Sequence, residues 1–234
     1  MKLKKFNKLL KKKVYNNNNM SSSSLGTNKF VNRLDALNIR NLKIDNYQDN
    51  GIIAIGSSAG KLNQGKFSTA IGVEAGANNQ GEACVAVGNN AGINNQGEAG
   101  VAVGIDAGKN YQGKFSVAIG TVSAYNNQGE HSVAIGHRSG EDYQGDNSTA
   151  IGHNSGHKNQ GKLSIAIGHK AGFENQHDNS ICINADKQEL NCDSSGLFIN
   201  PIRSEKTNDI NKNGLLFYDK NTHEIKFYDY NKNN

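Results

Sequence analysis

The sequence contains no tryptophan, a single proline and only 7% aromatic residues across its 234 positions. Hydrophobic residues make up 35% of the chain, which is too little large apolar surface for an ordinary globular core of this length. No run of about 18 apolar residues is present, so we expect no transmembrane helix. The basic N-terminus is not followed by an apolar stretch of about 7–15 residues, so we expect no Sec signal peptide, and no membrane anchor is recognised.

Cysteine is also scarce. Three cysteines give no disulfide framework. Cys84 and Cys182 stand where neighbouring repeats, described next, carry serine or alanine. We therefore predict that both are small, buried residues. Cys192 lies outside the repeat and is predicted to be free.

In place of a large core, the chain has a repeat of sixteen residues. Eight copies follow one another without insertion, which indicates a solenoid in which each repeat forms one coil. The repeat glycines are Gly56, Gly72, Gly88, Gly104, Gly120, Gly136, Gly152 and Gly168. The repeat glutamines are Gln64, Gln80, Gln96, Gln112, Gln128, Gln144, Gln160 and Gln176.

Each repeat is predicted to contain a strand, represented by residues 116–120. Side chains alternate along a strand, so Val117 and Ile119 share a bulky apolar face, whereas Ser116 and Ala118 share a small one. The sequence leaves open which face lies toward an axis between chains. The Asn-Gln-Gly segment is predicted to form the second corner of the coil. The glutamines there either stack as a ladder of side-chain amides or are simply residues that suit a turn.

The predicted fold is all-β, a parallel β-roll or β-helix solenoid of eight 16-residue coils with a small β C-terminal cap. We predict a basic, Asn/Ser-rich disordered tail at residues 1–24, an N-terminal cap at 25–51, the repeat domain at 52–184 and a module containing a β-hairpin at 185–234. Each coil supplies about two large aliphatic side chains, which do not offset the entropy of ordering the coil. We therefore expect further apolar surface to be buried between chains of a parallel homo-oligomer.

Positive charge is concentrated at the N-terminus. Seven of the first thirteen residues are lysines, in a chain whose net charge is +5. The repeat body is therefore near neutral, and we expect no nucleic acid binding except through the tail. Leu3, Phe6, Leu10 and Val14 fall on one face if the tail is helical, a pattern that could bind an anionic membrane or an acidic partner. A solvated, disordered arm is the other interpretation.

Three histidines follow the repeat glycine in successive coils. His137, His153 and His169 are predicted to form a ladder with a spacing of about 5 Å, close enough for a shared metal ion. A tolerant surface column is the other interpretation, because this position carries varied residues in the remaining coils. No catalytic residue, no cofactor and no other metal ligand is predicted.

The pentapeptide Ser132-Val133-Ala134-Ile135-Gly136 resembles the head repeats of YadA-type trimeric autotransporter adhesins. That resemblance implies a left-handed parallel β-roll assembled as a trimer. The sixteen-residue Ala-Gly-x-x-Asn-Gln-Gly form is similar to repeats in fibre-like proteins of large DNA viruses and phages. Residues 198–203, 216–218 and 222–227 resemble the trimeric stem that precedes the chaperone domain of phage tail fibres.

The sequence thus predicts a non-catalytic structural or adhesive fibre-like protein. We expect a homotrimer on a virion or extracellular surface that mediates attachment or acts as a spacer. Tyr111, Tyr125 and Tyr143, near the predicted corners, could contact a host-surface receptor or a glycan. The alternative is a non-catalytic interaction protein that its Lys-rich N-terminus tethers to membrane or nucleic acid.

Overall fold

The computed structural model of the protein describes residues 42–45, 51–202, 215–219 and 224–228. The chain divides into two units, Met1–Asn200 and Pro201–Asn234. Every regular element of the described residues is a β-strand, which confirms the predicted all-β class. None of the described segments is a helix that could cross a membrane. The predicted tail at residues 1–24 lies outside the described residues, as does the predicted N-terminal cap apart from residues 42–45 and 51.

The first unit contains two sheets whose strands alternate along the chain. The first sheet comprises β1 (Leu42–Asp45), β2 (Ile52–Ile55), β4 (Thr69–Ile71), β6 (Val85–Val87), β8 (Val101–Val103), β10 (Val117–Ile119), β12 (Val133–Ile135), β14 (Thr149–Ile151), β16 (Ile165–Gly168), β17 (Ser180–Asn184) and β18 (Gly196–Asn200). The second comprises β3 (Leu62–Gln64), β5 (Asn78–Gln80), β7 (Asn94–Gln96), β9 (Asn110–Gln112), β11 (Asn126–Gln128), β13 (Asp142–Gln144) and β15 (Lys158–Gln160). Strands of successive coils pair in parallel at the sixteen-residue spacing, as Ala102, Ala118 and Ala134 do. The predicted parallel solenoid is therefore confirmed.

The edge of the first coil is occupied by β1, which pairs antiparallel with β2 so that Leu42 lies opposite Ile55. An antiparallel strand satisfies backbone groups that the first parallel strand would otherwise leave unpaired. This is the position in which the predicted N-terminal cap would act.

The solenoid continues beyond the predicted end at residue 184. Strand β18 pairs in parallel with β17, with Ser180 opposite Gly196 and Cys182 opposite Phe198. The prediction of eight coils is therefore one turn short. Sequence periodicity missed this turn because Phe198 replaces the repeat alanine and Asn200 replaces the repeat glycine.

A disulfide bond joins Cys182 in β17 to Cys192 in the segment that leads to β18. The prediction that Cys192 is free is therefore wrong, and the cause is the same unrecognised turn. Cys84 is a buried free cysteine. Burial raises the pKa of the Cys84 thiol, which favours its neutral form.

The second unit contains a hairpin. Its strands are β19 (Leu215–Asp219) and β20 (Glu224–Tyr228), which pair antiparallel with Leu215 opposite Tyr228 and Asp219 opposite Glu224. The predicted hairpin is thus present in the C-terminal module. Its role as a cap of the solenoid stays a prediction.

The interior of the roll is lined by small side chains. Ala118 and Ser116 of one coil are fully buried, and equivalent alanines and serines line the neighbouring coils. Each serine fixes the corner before its strand, because its hydroxyl donates to the carbonyl three residues earlier, as Ser132 does to Gly129 at 2.6 Å. The two sheets therefore approach closely, and the core has no room for the large aliphatic side chains.

The repeat glutamines cross this narrow interior. Gln128 is the last residue of β11 and is buried; its Nε2 donates to the Val117 carbonyl of β10 at 2.9 Å. The same bond, to the carbonyl eleven residues earlier, recurs along the roll, for instance from Gln112 to Val101. In addition, Gln128 donates to the Gln144 carboxamide at 3.1 Å, so part of the predicted amide ladder exists. The placement of these glutamines at a corner is wrong: they end the second strand and tie the two sheets together.

The repeat glycines follow the first strand at a φ that only glycine adopts easily. Gly120 has a φ of 128°, and Gly136 has a φ of 130°. A Cβ on Gly120 would lie 2.5 Å from the carbonyl oxygen of Gly136. Both the backbone angle and the close approach of the next coil therefore require glycine here.

Candidate functional site

The large aliphatic residues lie on the outer face of the first sheet. Ile119 remains 38% exposed and Ile135 36% exposed, whereas Ala118, the residue before Ile119 in β10, is fully buried. The two outward columns, which we call the apolar stripe, consist of Ile53, Thr69, Val85, Val101, Val117, Val133, Thr149, Ile165, Ile181 and Leu197, and of Ile55, Ile71, Val87, Val103, Ile119, Ile135, Ile151, Ile167, Ile183 and Ile199. Within the roll, alanine therefore lies inside, and valine or isoleucine lies outside.

The outer face of the second sheet is polar. Asn94 donates from Nδ2 to Asn110 Oδ1 at 2.8 Å, and Asn110 donates to Asn126 at 2.9 Å. The ladder ends in a carboxylate, because Asn126 donates to Asp142 at 2.7 Å. The two outer faces of the roll therefore differ in character: one is an apolar stripe and the other carries side-chain amide ladders.

The predicted histidine ladder is a stack of parallel rings. The centroids of His137 and His153 are 5.2 Å apart and those of His153 and His169 are 5.4 Å apart, with interplanar angles of 9° and 7°. Desolvation and the neighbouring His137 lower the pKa of His153. Imidazole lone pairs lie in the ring plane, so parallel rings at this spacing do not aim at one ion at a metal–nitrogen distance of about 2.0–2.1 Å. No group of three or more metal-ligating side chains occurs among the described residues.

A further histidine, His157, lies in an ionic cluster that was not predicted from the sequence, in which His157 and Glu141 are buried and Arg138 is exposed. His157 Nε2 lies 2.8 Å from Glu141 Oε2, and Arg138 Nε lies 2.9 Å from the same oxygen. The imidazole also stacks on Phe173, with ring centroids 4.7 Å apart. Burial lowers the pKa of His157, and the Glu141 carboxylate opposes this shift. The sixteen-residue register, which aligns residues 141, 157 and 173, was the signal that could have revealed the cluster.

The depressed pKa of His157 predicts that acid destabilises the roll. A histidine whose pKa is lower in the folded state contributes stability that is fully present above its ordinary pKa of about 6.5 and is lost as the pH falls below that value. Thermal melting at pH 7.5 and pH 5.0 measures this loss. We expect a smaller loss in His157→Phe, because this variant lacks the titrating imidazole. Phenylalanine suits the position, since Phe173 occupies the same column one coil later. His153→Asn is the matched variant, which measures how much the exposed histidine ladder contributes to the acid-induced loss of stability. An unchanged loss in His157→Phe would refute the assignment of this loss to His157.

The remaining candidates, the tyrosines, fall into two columns. Tyr111 and Tyr143 are each 61% exposed on the second sheet. Tyr125 lies in a different column and is half-buried, and its hydroxyl accepts a hydrogen bond from Lys109 at 3.1 Å. The structure thus brings Tyr111 and Tyr143 to one surface and keeps Tyr125 apart.

The geometry is that of a β-roll repeat protein with one apolar and one polar outer face. The family model of the YadA head domain repeat matches the chain in two copies, over residues 144–155. No curated protein and no solved structure matches the chain. The predicted YadA-type head repeats are therefore confirmed in this part of the roll. The predicted likeness to viral and phage fibres is not confirmed by any comparison.

Proposed function

We propose that the protein is a homotrimeric, non-catalytic fibre module of the adhesin type, in which the stacked coils form a rod at a surface. The observation that carries this proposal is the apolar stripe. It extends over the whole first sheet from β2 to β18 and remains more than one third exposed at most of its isoleucines. Contiguous exposed apolar patches of this kind mark interfaces with other chains.

Burial energetics support association through this face. Full burial of an aliphatic side chain stabilises by roughly 1.5–3 kcal/mol, so covering the exposed third of an isoleucine contributes roughly 0.5–1 kcal/mol. Every coil repeats the contribution, because parallel chains of equal period present the stripe in the same register. The likeness to YadA head repeats supports the choice of a trimer, and three stripes facing a common axis would form the large apolar core that a single roll lacks.

The disulfide bond supports an extracellular setting. Cys182 and Cys192 are joined within the last turn of the solenoid, and disulfides persist mainly in oxidising environments such as cell and particle surfaces.

The uniformity of the roll supports a structural role. Its coils present the same backbone and the same interior alanine, serine and glutamine positions from one to the next. Attachment or spacing requires no more than such a rod.

Sedimentation equilibrium of the purified full chain tests the trimer. We expect a single species of three chains at micromolar concentration, without a monomer fraction. A monomer under these conditions would contradict the proposal.

Deletion of residues 1–24 tests the tethering alternative, since a surface protein held by its rod keeps its location when the lysine-rich segment is removed.

A further inference from the structure

The second sheet carries a column of asparagines that two tyrosines interrupt. In the middle position of each strand, Asn63 donates to Asn79 at 2.8 Å, and Asn159 donates to Asn175 at 2.9 Å. The full column is Asn63, Asn79, Asn95, Tyr111, Asn127, Tyr143, Asn159 and Asn175. The column is therefore an amide ladder except where tyrosine replaces asparagine.

The interruption leaves one amide without its ladder partners. Asn127 has Tyr111 on one side and Tyr143 on the other. Among residues 51–202 the Asn127 side chain makes no hydrogen bond, whereas Asn79 both donates and accepts within the ladder. Asn127 thus presents one carbonyl acceptor and two N–H donors to whatever enters between the tyrosines.

The two tyrosines occupy backbone positions that suit asparagine better. Tyr111 has a φ of 58° and Tyr143 a φ of 59°. Asparagine tolerates the left-handed region through local hydrogen bonds of its short side chain, whereas a bulky residue is strained there. Both phenol side chains nevertheless remain 61% exposed, so packing within the roll does not explain their presence.

The surface between them is concave. A shallow, open groove of about 450 Å³ is lined by Tyr111, Asn127 and Tyr143, together with Asp146 and Lys162. Two coils separate the tyrosines, which corresponds to roughly 9.6 Å at a strand spacing of about 4.8 Å. With the phenol side chains in strand register, a single ring lying over Asn127 in the coil between them would be about 4.8 Å from each phenol ring, within the 4.5–7 Å at which rings pack.

The two charged residues that line the groove compensate each other. Lys162 Nζ lies 2.9 Å from Asp146 Oδ2, and this hydrogen bond lowers the pKa of Asp146. Asp146 Oδ1 also accepts the backbone N–H of Glu130 at 3.1 Å. The pair therefore offers donors and an acceptor to hydroxyl groups without a net charge that would select an ionic ligand.

We propose that this groove, the tyrosine groove, binds a neutral saccharide, with one pyranose ring between Tyr111 and Tyr143 and its hydroxyls bonded by Asn127, Asp146 and Lys162. Aromatic walls cover the apolar C–H faces of the sugar, and the amide and the ion pair satisfy its equatorial hydroxyls. The groove is on the second sheet, opposite the apolar stripe, so association through the stripe leaves it open. The inference rests on the proposed fibre function only in that a trimer would carry three copies of the groove, one on each outward face.

Binding is tested with the full chain on an array of neutral hexose and N-acetylhexosamine oligosaccharides, followed by titration of the corresponding methyl pyranosides observed by saturation-transfer NMR. We expect binding by the wild type and a loss of about three- to tenfold in affinity for each of Tyr111→Asn and Tyr143→Asn, as expected for the removal of one ring contact. Because asparagine occupies this column elsewhere, both variants should melt no lower than the wild type.

Phe67→Asn is the matched control. Phe67 is another exposed aromatic residue with a φ of 58°, and Asn147 and Asn179 occupy its column in later coils. This variant should bind as the wild type does. Absence of binding to every neutral glycan, selective binding of anionic glycans or peptides, or undiminished binding in the Tyr111→Asn/Tyr143→Asn double variant would each overturn the saccharide site. Sedimentation of the same samples keeps this result separate from the fibre proposal, since a trimer that binds no sugar refutes the groove alone.

Discussion

Replacement of Gly120 by alanine should destabilise the solenoid by at least about 3 kcal/mol, because two separate penalties combine at this position. The φ of 128° is strained for alanine by roughly 1–3 kcal/mol. The added Cβ would also lie 2.5 Å from the Gly136 carbonyl oxygen, so that adjacent coils must separate. Urea unfolding of the variant and wild type at equal chain concentration measures the difference in the free energy of unfolding.

Gly196→Ala separates the two penalties. Gly196 has a φ of 133°, but the nearest atom that its Cβ would meet is a ring carbon of Phe198 at 4.0 Å. This control should lose only the part that arises from backbone strain. Equal losses in the two variants would show that the close approach of neighbouring coils contributes nothing.

The variant Ile119→Asp/Ile135→Asp should convert the proposed trimer into monomers at micromolar concentration. Both side chains lie outward in the apolar stripe and are more than one third exposed in the single chain, so carboxylates there disturb the folded roll little. In a trimer the same substitutions bury six carboxylates near one axis. The desolvation of each charge is expensive, and they repel one another. Sedimentation velocity measures the change in association, and circular dichroism shows whether the strands persist.

The control for this variant is Leu62→Asp. Leu62 is a 53% exposed apolar residue on the second sheet, and its column already contains Asp142 in a later coil. This substitution introduces a carboxylate on the opposite face and should leave the proposed trimer intact. A trimer in the double aspartate variant would show that the stripe is not the interface.

The coil and its first strand could be predicted because each is repeated in register. Identical residues at the Ala118 and Gly120 positions in successive coils determine the period, and the alternation of Val117 and Ile119 with smaller residues determines the strand. Periodicity does not state which face is inside. A globular protein would bury isoleucine, and here the alanines are buried because serine, alanine and an extended glutamine fill the narrow interior completely.

The glutamine position was mispredicted because its neighbours have turn chemistry. Asn127 has a φ of 54° in the middle of β11, and Asn-Gln-Gly is a sequence typical of a corner. A short strand with a left-handed central residue satisfies both descriptions. The hydrogen bond from Gln128 to the Val117 carbonyl depends on the distance between the two sheets. That distance cannot be read from a single sequence.

The candidate sites were only partly predictable. Tyr111 and Tyr143 are separated by two periods, so their shared column could be read from the sequence, whereas the unpartnered amide of Asn127 and the concave surface between them could not. The His157–Glu141 pair likewise follows from register, but its burial depends on packing beside Phe173. The disulfide was missed because Cys192 belongs to a turn in which Phe198 and Asn200 replace the repeat alanine and glycine.

The pairing of each coil with only its immediate neighbours also determines how the rod responds to tension. Force applied at its two ends acts on the hydrogen bonds of one terminal coil at a time, so the coils should peel away in sequence. A coil of sixteen residues extends to about 53–58 Å at roughly 3.3–3.6 Å per residue, and it occupies only about 4.8 Å of the rod. An attachment fibre built in this way would lengthen about elevenfold in equal steps under load, and the Cys182–Cys192 bond would shorten the step of the coil that it closes.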